Sequence, residues 1–329
     1  MPDPHPPTSS APRNAPHNAP RKDARAITRH LDRLARADAA PWLHQEVARR
    51  MAQRLPVIRQ VPQVWLDWWG FLGGGGDSVR AVLPDATRLV AEPTPALRAR
   101  SVAVQGGGWW SQAKARLTGH TSAPQVLALS EVPDGAAQMV WANMMLHAVP
   151  EETATLARWH RALASDGYLM FSSLGPDTLR GLREVFAEIG APPPHPPFVD
   201  MHDLGDMLVQ AGFADPVMDQ ETILLHWSSP EAVLAELRSL GGHIGVDRFA
   251  GLRTPRWRAR LLAALARRRD GDGRIGLGFE IVYGHAFKAL PKPDRDGQTV
   301  IPLQTLRESL GLSSRRAPGG LRGPKIGSG

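Results

Sequence analysis

Two carboxylates and a run of glycines between them are the residues best placed to do chemistry. Asp67 closes the apolar run VWLD, Gly70, Gly73, Gly74, Gly75 and Gly76 fall in WWGFLGGGG, and Glu92 closes a second apolar run, RLVAE. A backbone without Cβ atoms can turn sharply and approach a ligand closely. An acid at the end of the next strand can accept hydrogen bonds from two ribose hydroxyls. Strand, glycine loop, helix, strand and acid together fit a nucleoside-containing cofactor. The spacing does not choose among NAD, FAD and S-adenosylmethionine. The other reading is a surface glycine loop with Glu92 as an ordinary strand-end residue. No strict G-x-G-x-x-G is present, and Trp68 and Trp69 stand where a tight loop favours small residues.

Other groups carry weaker signals. His195, His202, Asp203 and Asp206 lie close in sequence, but Asp200 or Asp203 in DMHDLGD suits a helix N-cap, so no metal site is expected. His243 and His285 read as satisfied buried histidines. GPDTL (175–179) suits both a turn into a helix and the rim of a ligand site. Arg25, Arg29 and Arg33 are candidate partners for an anionic acceptor or simply a solvated face. Trp109 and Trp110 are expected to pack. Neither a Ser-His-Asp set nor a paired-carboxylate site is visible, so no catalytic residue is assigned.

The elements that must position these groups alternate in kind. Strands are expected at 61–66, 88–93, 125–129, 137–143 and 167–174, with helices between them at 77–83, 94–101 and 151–164. Two amphipathic helices precede them, marked by Ile27, Leu31 and Leu34 and by Val47, Met51 and Leu55. Helices at 177–189, 203–211, 230–240 and 255–268 follow, with extended segments at 216–227 and 279–287. Strands alternating with helices imply right-handed crossovers and a mostly parallel α/β sheet.

Composition bounds the class. The first twenty residues contain seven prolines and no apolar segment of the kind a secretory signal needs. They are expected to be a disordered tail (1–23), as is the basic stretch 291–329. Cysteine is absent, which removes disulfides and thiolate chemistry. No apolar run is long enough for a membrane span, and cytoplasmic residence is the simplest expectation. Residues 1–60 carry 11 Lys and Arg against 5 Asp and Glu, whereas 61–290 carry 21 against 24. The positive charge therefore sits toward the ends of the chain and not on the slightly acidic middle, which argues against a nucleic-acid partner.

Several stretches resemble a known family. VDMHDLGDMLVQAGFADPVMDQE (199–221), SSLGPDTLRGLREVF (172–186) and FEIVYGHAFKA (279–289) are similar to the malonyl-acyl-carrier-protein O-methyltransferases of biotin synthesis. WANMMLHAV (141–149) resembles the segment after strand four of class I methyltransferases. The likeness spans roughly 24–290. It implies a Rossmann-like fold with a seven-stranded, mostly parallel sheet, helices on both faces and a helical insertion before the last strand. Within it, 24–60 would be a helical cover, 61–174 the cofactor half and 175–290 the substrate half. It implies S-adenosyl-L-methionine as cofactor and an acyl carrier protein bearing a malonyl thioester as partner, with no nucleic acid, no membrane and a monomeric state. Transfer would be to the free malonyl carboxylate. Carried over by position, Asp67, Gly70, Gly73, Gly74, Glu92 and Asn143 would bind the cofactor. A substrate-pocket role for His243 and His285 is implied only by this resemblance.

The chain departs from the family pattern in two places. The compact D-x-G-x-G-x-G loop is replaced by the longer DWWGFLGGGG. Ala128 and Ser130 stand where the family commonly offers an acid to adenine, with Glu131 and Asp134 nearby. These departures keep two alternatives open: a methyltransferase for another small acceptor, and a pseudo-methyltransferase acting in binding or assembly.

Overall fold

The computed structural model describes residues 22–105, 125–249 and 251–289. Seven strands form one sheet in the order β3-β2-β1-β4-β5-β7-β6. They are β1 (Val64–Trp68), β2 (Thr87–Glu92), β3 (Gln125–Ala128), β4 (Ala137–Ala142), β5 (Leu163–Leu174), β6 (Phe213–Trp227) and β7 (Ile275–Lys288). β1 pairs in parallel with β2 on one side and β4 on the other. The chain order therefore reverses between β1 and β4, and a crevice opens there at the carboxyl ends of the strands. β7 enters antiparallel between β5 and β6. The seven-stranded, mostly parallel α/β sheet expected from the sequence is the one observed.

Helices cover both faces, which is why the central strands read as nearly continuous apolar runs. On one face, α1 (Ala24–Leu34), α5 (Pro95–Gln105), α6 (Glu152–Ala162) and α8 (Met201–Gln210) pack on Leu66, Val140 and Ala142. On the other, α2 (Trp42–Ala52) and α4 (Gly76–Val82) pack on Trp65, Met139 and Trp141. Adjacent residues of β4 thus point to opposite layers, as the period of a strand requires. A third cluster joins α7 (Arg180–Glu188), α9 (Pro230–Leu240) and α10 (Pro255–Ala266) to the start of β7.

α1 shows how the cover is fixed. Ile27, Leu31 and Leu34 bury one stripe, and each such side chain contributes about 1.5–3 kcal/mol. The Asp23 carboxylate caps the helix by accepting from the Arg25 and Ala26 amides, and it pairs with Arg248 at 2.6 Å. The Asp23 amide donates to Ile244 O at 2.8 Å, and Lys22 forms a buried ion pair with Glu152. The start of α1 is therefore strapped to the segment after α9 and to the first residue of α6.

Boundaries differ from expectation where the backbone has a reason. β1 begins at Val64 and not at Val61, after Pro62, which has no amide hydrogen for a sheet ladder. It ends on Trp68, so the tryptophans belong to the strand and its turn. Gly70–Gly73 form a short helical turn, α3, which the glycine content did not suggest. Trp109 and Trp110 lie outside the described residues. No helix among the described residues is long and apolar enough to cross a membrane.

Candidate active site

The glycine segment and Glu92 meet at the carboxyl ends of β1 and β2. Trp69 N–H donates to Ala91 O at 2.7 Å. Phe71 N–H donates to Glu92 Oε1 at 2.7 Å, and Ser101 Oγ–H donates to the same oxygen at 2.6 Å. Glu92 is 1% exposed, and its Oε2 has no partner among the described residues. Burial, only partly offset by these two donors, raises its pKa from 4.5 to about 7.

Asp67 is also sealed. Arg88 donates to Asp67 Oδ2 from Nε at 3.0 Å and from Nη2 at 2.5 Å. Asp67 Oδ1 has no partner among the described residues. Burial pushes the Asp67 carboxyl up, against the pull of Arg88. The sheet register brings this pair together, since β1 and β2 run in parallel with Asp67 opposite Val90.

Asn143, after β4, ties the loop to the helical cover. Its Nδ2 donates to His44 O at 2.7 Å and Gly73 O at 2.6 Å. Its Oδ1 accepts from Ser172 Oγ–H at 2.7 Å. His44 completes the fastening, with Nδ1–H donating to Leu72 O at 2.8 Å. A carbonyl can only accept, so the Nδ1 tautomer is the one present. Burial lowers the His44 pKa to about 4, leaving the ring neutral.

The glycines are surrounded by the chain's own atoms. Gly74 has φ +64°, and a Cβ there would lie 2.8 Å from the Ala40 Cβ. A Cβ on Gly75 would lie 2.6 Å from Trp141 Nε1. Trp68, Trp69, Phe71 and Leu72 are all buried in the cluster that includes Ile27, Leu31 and Leu34 of α1. Glu131, near the expected adenine contact, accepts from the Ala128 amide at 2.7 Å, and Asp134 pairs with Arg158 at 2.9 Å. The carboxylate expected to hold a ribose is beside the loop, with one oxygen lacking a partner. In this conformation, however, Trp69, Phe71 and Leu72 are buried beside it and seal it from solvent.

A cavity of about 280 Å³ opens on the other side of His44. Its wall includes Leu43 of α2, Met144 and His147 after β4, Leu174 at the end of β5, Leu237 of α9 and Phe279 of β7. His30, His195, His243 and Arg238 also line it. Burial lowers the pKa of His30 to about 4 and that of His147 well below its ordinary value. His195 and His243 shift in the same direction for the same reason. Arg238 is thus the fixed cation of the lining. It sits exposed at the rim and makes no ion pair among the described residues. His147 Nδ1 and His195 Nε2 are buried without a hydrogen-bond partner there. The arrangement suits a ligand with an apolar stem, hydrogen-bonding groups along it and one anionic end.

The chain is 38% identical over 288 residues to the malonyl-[acyl-carrier protein] O-methyltransferase of Laribacter hongkongensis, covering 85% of this chain and 95% of that relative. It belongs to the malonyl-[acyl-carrier protein] O-methyltransferase family. The Gallionella capsiferriformans member is 36% identical over 292 residues, with 85% and 96% covered. The Nitrosospira multiformis member is 32% identical over 279 residues, with 82% and 91% covered. No family model matches the chain. In this member of the O-methyltransferase family, Asp67, Gly70, Gly73, Glu92 and Asn143 gather around one loop, with Gly74 at its turn. Their polar groups are largely engaged with the protein.

Other residues sort differently. His243 reaches the cavity, whereas His285 lies in a separate groove with Arg54, Tyr283 and Phe287. Asp200 caps α8 by accepting from the His202 amide at 2.8 Å. Among the described residues no group of three or more His, Asp or Glu is arranged to hold a metal ion. Glu280 anchors the turn at 175–177 by accepting from the Asp177 amide at 2.6 Å. Sequence reasoning missed His44, Arg88, Ser101 and Arg238. Arg88 alone left a signal, as a cation inside a strand facing a strand-end acid. The other three reach the site from helices whose position depends on tertiary packing.

Proposed function

We propose that this protein transfers a methyl group to the free carboxylate of a malonyl group carried as a thioester on acyl carrier protein, a step of biotin synthesis. Residues 24–290 form the catalytic domain. S-adenosyl-L-methionine is the donor and supplies an electrophilic methyl group; Glu92, with its unpartnered Oε2, is the residue that would hold the ribose. The observation that carries the acceptor assignment is the cavity, apolar in its walls and rimmed by one fixed cation, at the carboxyl ends of β4 and β5 beside the glycine loop.

The chemistry asks little of acid–base groups. A malonyl carboxylate has an ordinary pKa near 4 and is ionised at neutral pH. It needs no general base, in keeping with neutral imidazoles around the cavity. What the chain supplies is position. Arg238 orients the carboxylate through charge-assisted hydrogen bonds, while Leu43, Met144 and Phe279 exclude water from it. Alignment of this kind is worth on the order of 7–11 kcal/mol of barrier. Methylation abolishes the charge that Arg238 holds, so the ester product is gripped less tightly than the acid, which favours release.

Arg25, Arg29 and Arg33 are exposed on α1, the helix whose His30 lines the cavity, and none pairs with a carboxylate among the described residues. They form the contact for an acidic carrier protein as its thioester enters. Expression of the full chain in a biotin-requiring strain that lacks its own malonyl methyltransferase tests the proposal. Growth without biotin is expected, and failure to grow despite soluble protein would overturn the biotin assignment.

A further inference from the structure

The glycine loop holds itself shut, and the fastening is specific. Trp69 adopts a left-handed conformation, φ 61° and ψ 47°, which side-chain-bearing residues rarely take. It does so while 4% exposed, with its indole Nε1 lacking a hydrogen-bond partner among the described residues. Such a conformation persists only where the surroundings impose it. The turn it makes delivers the Phe71 amide to Glu92 Oε1 at 2.7 Å, alongside the Ser101 hydroxyl. The Phe71 ring then packs under Arg100, whose guanidinium carbon lies 5.2 Å from the ring centroid. Arg100 in turn donates to Ala37 O at 2.6 Å, just beyond α1. On the far side, His44 and Asn143 hold Leu72 O and Gly73 O. An oxygen of Glu92 needed for two vicinal hydroxyls is thereby taken by the chain's own backbone.

We infer that Trp69 and Phe71 set the affinity for the adenosyl ligand: they latch the loop over Glu92, and the ligand binds only to molecules in which that latch has opened. This rests on the assignment of an adenosyl donor above. When the competent state is a minor fraction, the apparent affinity falls by that fraction. Weak binding would then reflect the closed population and not a poor site.

The test uses the full chain and S-adenosylhomocysteine, with binding read by calorimetry and by tryptophan fluorescence. Phe71→Ala removes the ring and its contact with Arg100, and Trp69→Ala removes the indole while keeping the steric cost of the left-handed turn in the closed loop. Both are expected to bind at least tenfold more tightly than the wild type. Stopped-flow mixing of the wild type needs no variant to fold. Its observed rate is expected to level off with ligand concentration, because opening precedes binding. A rate that rises linearly throughout, or variants that bind no more tightly than a tight-binding wild type, would overturn the latch and leave the methyltransferase assignment standing. Absence of binding by all three proteins at millimolar ligand would overturn the adenosyl assignment, and the latch with it.

Discussion

Replacing Glu92 with Gln tests the closed site through the pH dependence of stability. In the folded protein the carboxyl titrates near 7, against 4.5 ordinarily. Between those values the folded state binds more protons than the unfolded state, so stability falls as pH rises. The stabilising contribution is complete below pH 4.5 and lost once the folded pKa is passed. At about 1.4 kcal/mol per unit the loss comes to roughly 3 kcal/mol. Gln keeps an oxygen for the Phe71 amide and the Ser101 hydroxyl but cannot ionise. Wild type and Glu92→Gln should therefore be close in stability at pH 5, with the variant about 3 kcal/mol more stable at pH 8. His30 and His44, lowered to about 4, act in the opposite sense. They lose stability as pH falls from 6.5 toward 4, but they are common to both proteins and cancel in the difference. Urea denaturation at half-unit steps measures it. A difference that does not change between pH 5 and pH 8 would refute the burial of this carboxylate under the loop.

Three further outcomes follow from the same geometry. Arg88→Ala strips Asp67 of its two charge-assisted hydrogen bonds in a fully buried setting; denaturation at pH 7 should show a loss of about 3–5 kcal/mol. Arg238→Ala should raise KM for the malonyl thioester at least tenfold while leaving its unfolding midpoint unchanged, because the side chain is exposed; an unchanged KM would remove it from acceptor binding. Reversing charge at Arg25, Arg29 and Arg33 together should weaken carrier-protein binding, with a shallower salt dependence than the wild type, as surface-plasmon measurements over a range of ionic strength would reveal.

Periodicity made the layered sheet readable. Ile27, Leu31 and Leu34 mark α1, and the apolar runs ending at Asp67 and Glu92 mark β1 and β2, because burial on two faces leaves no polar positions in the middle of a strand. The proximity of Glu92 to the loop was also legible, since a parallel βαβ unit brings the ends of adjacent strands together. What was hidden is how the loop uses its length. The residues WWGF read only as extra length in a cofactor loop, yet Trp69 turns left-handed and Phe71 returns its amide to the acid, a choice made by the buried cluster under α1 and not by local propensity. The cavity was hidden for a related reason. His30, His44, His147, His195 and Arg238 lie on separate elements, and only the packing of α1, α2 and α9 over the sheet brings them to one wall.

In the proposed reaction a malonyl carboxylate is the group methylated. Mass spectrometry of malonyl-acyl carrier protein, after incubation with the full chain and S-adenosylmethionine, tests it most directly. One added methyl is expected on the carrier-bound acyl group, released as methanol on mild base treatment, and none on acetyl-carrier protein, which lacks the carboxylate. An unmodified malonyl carrier, from protein that binds both reactants, would contradict it.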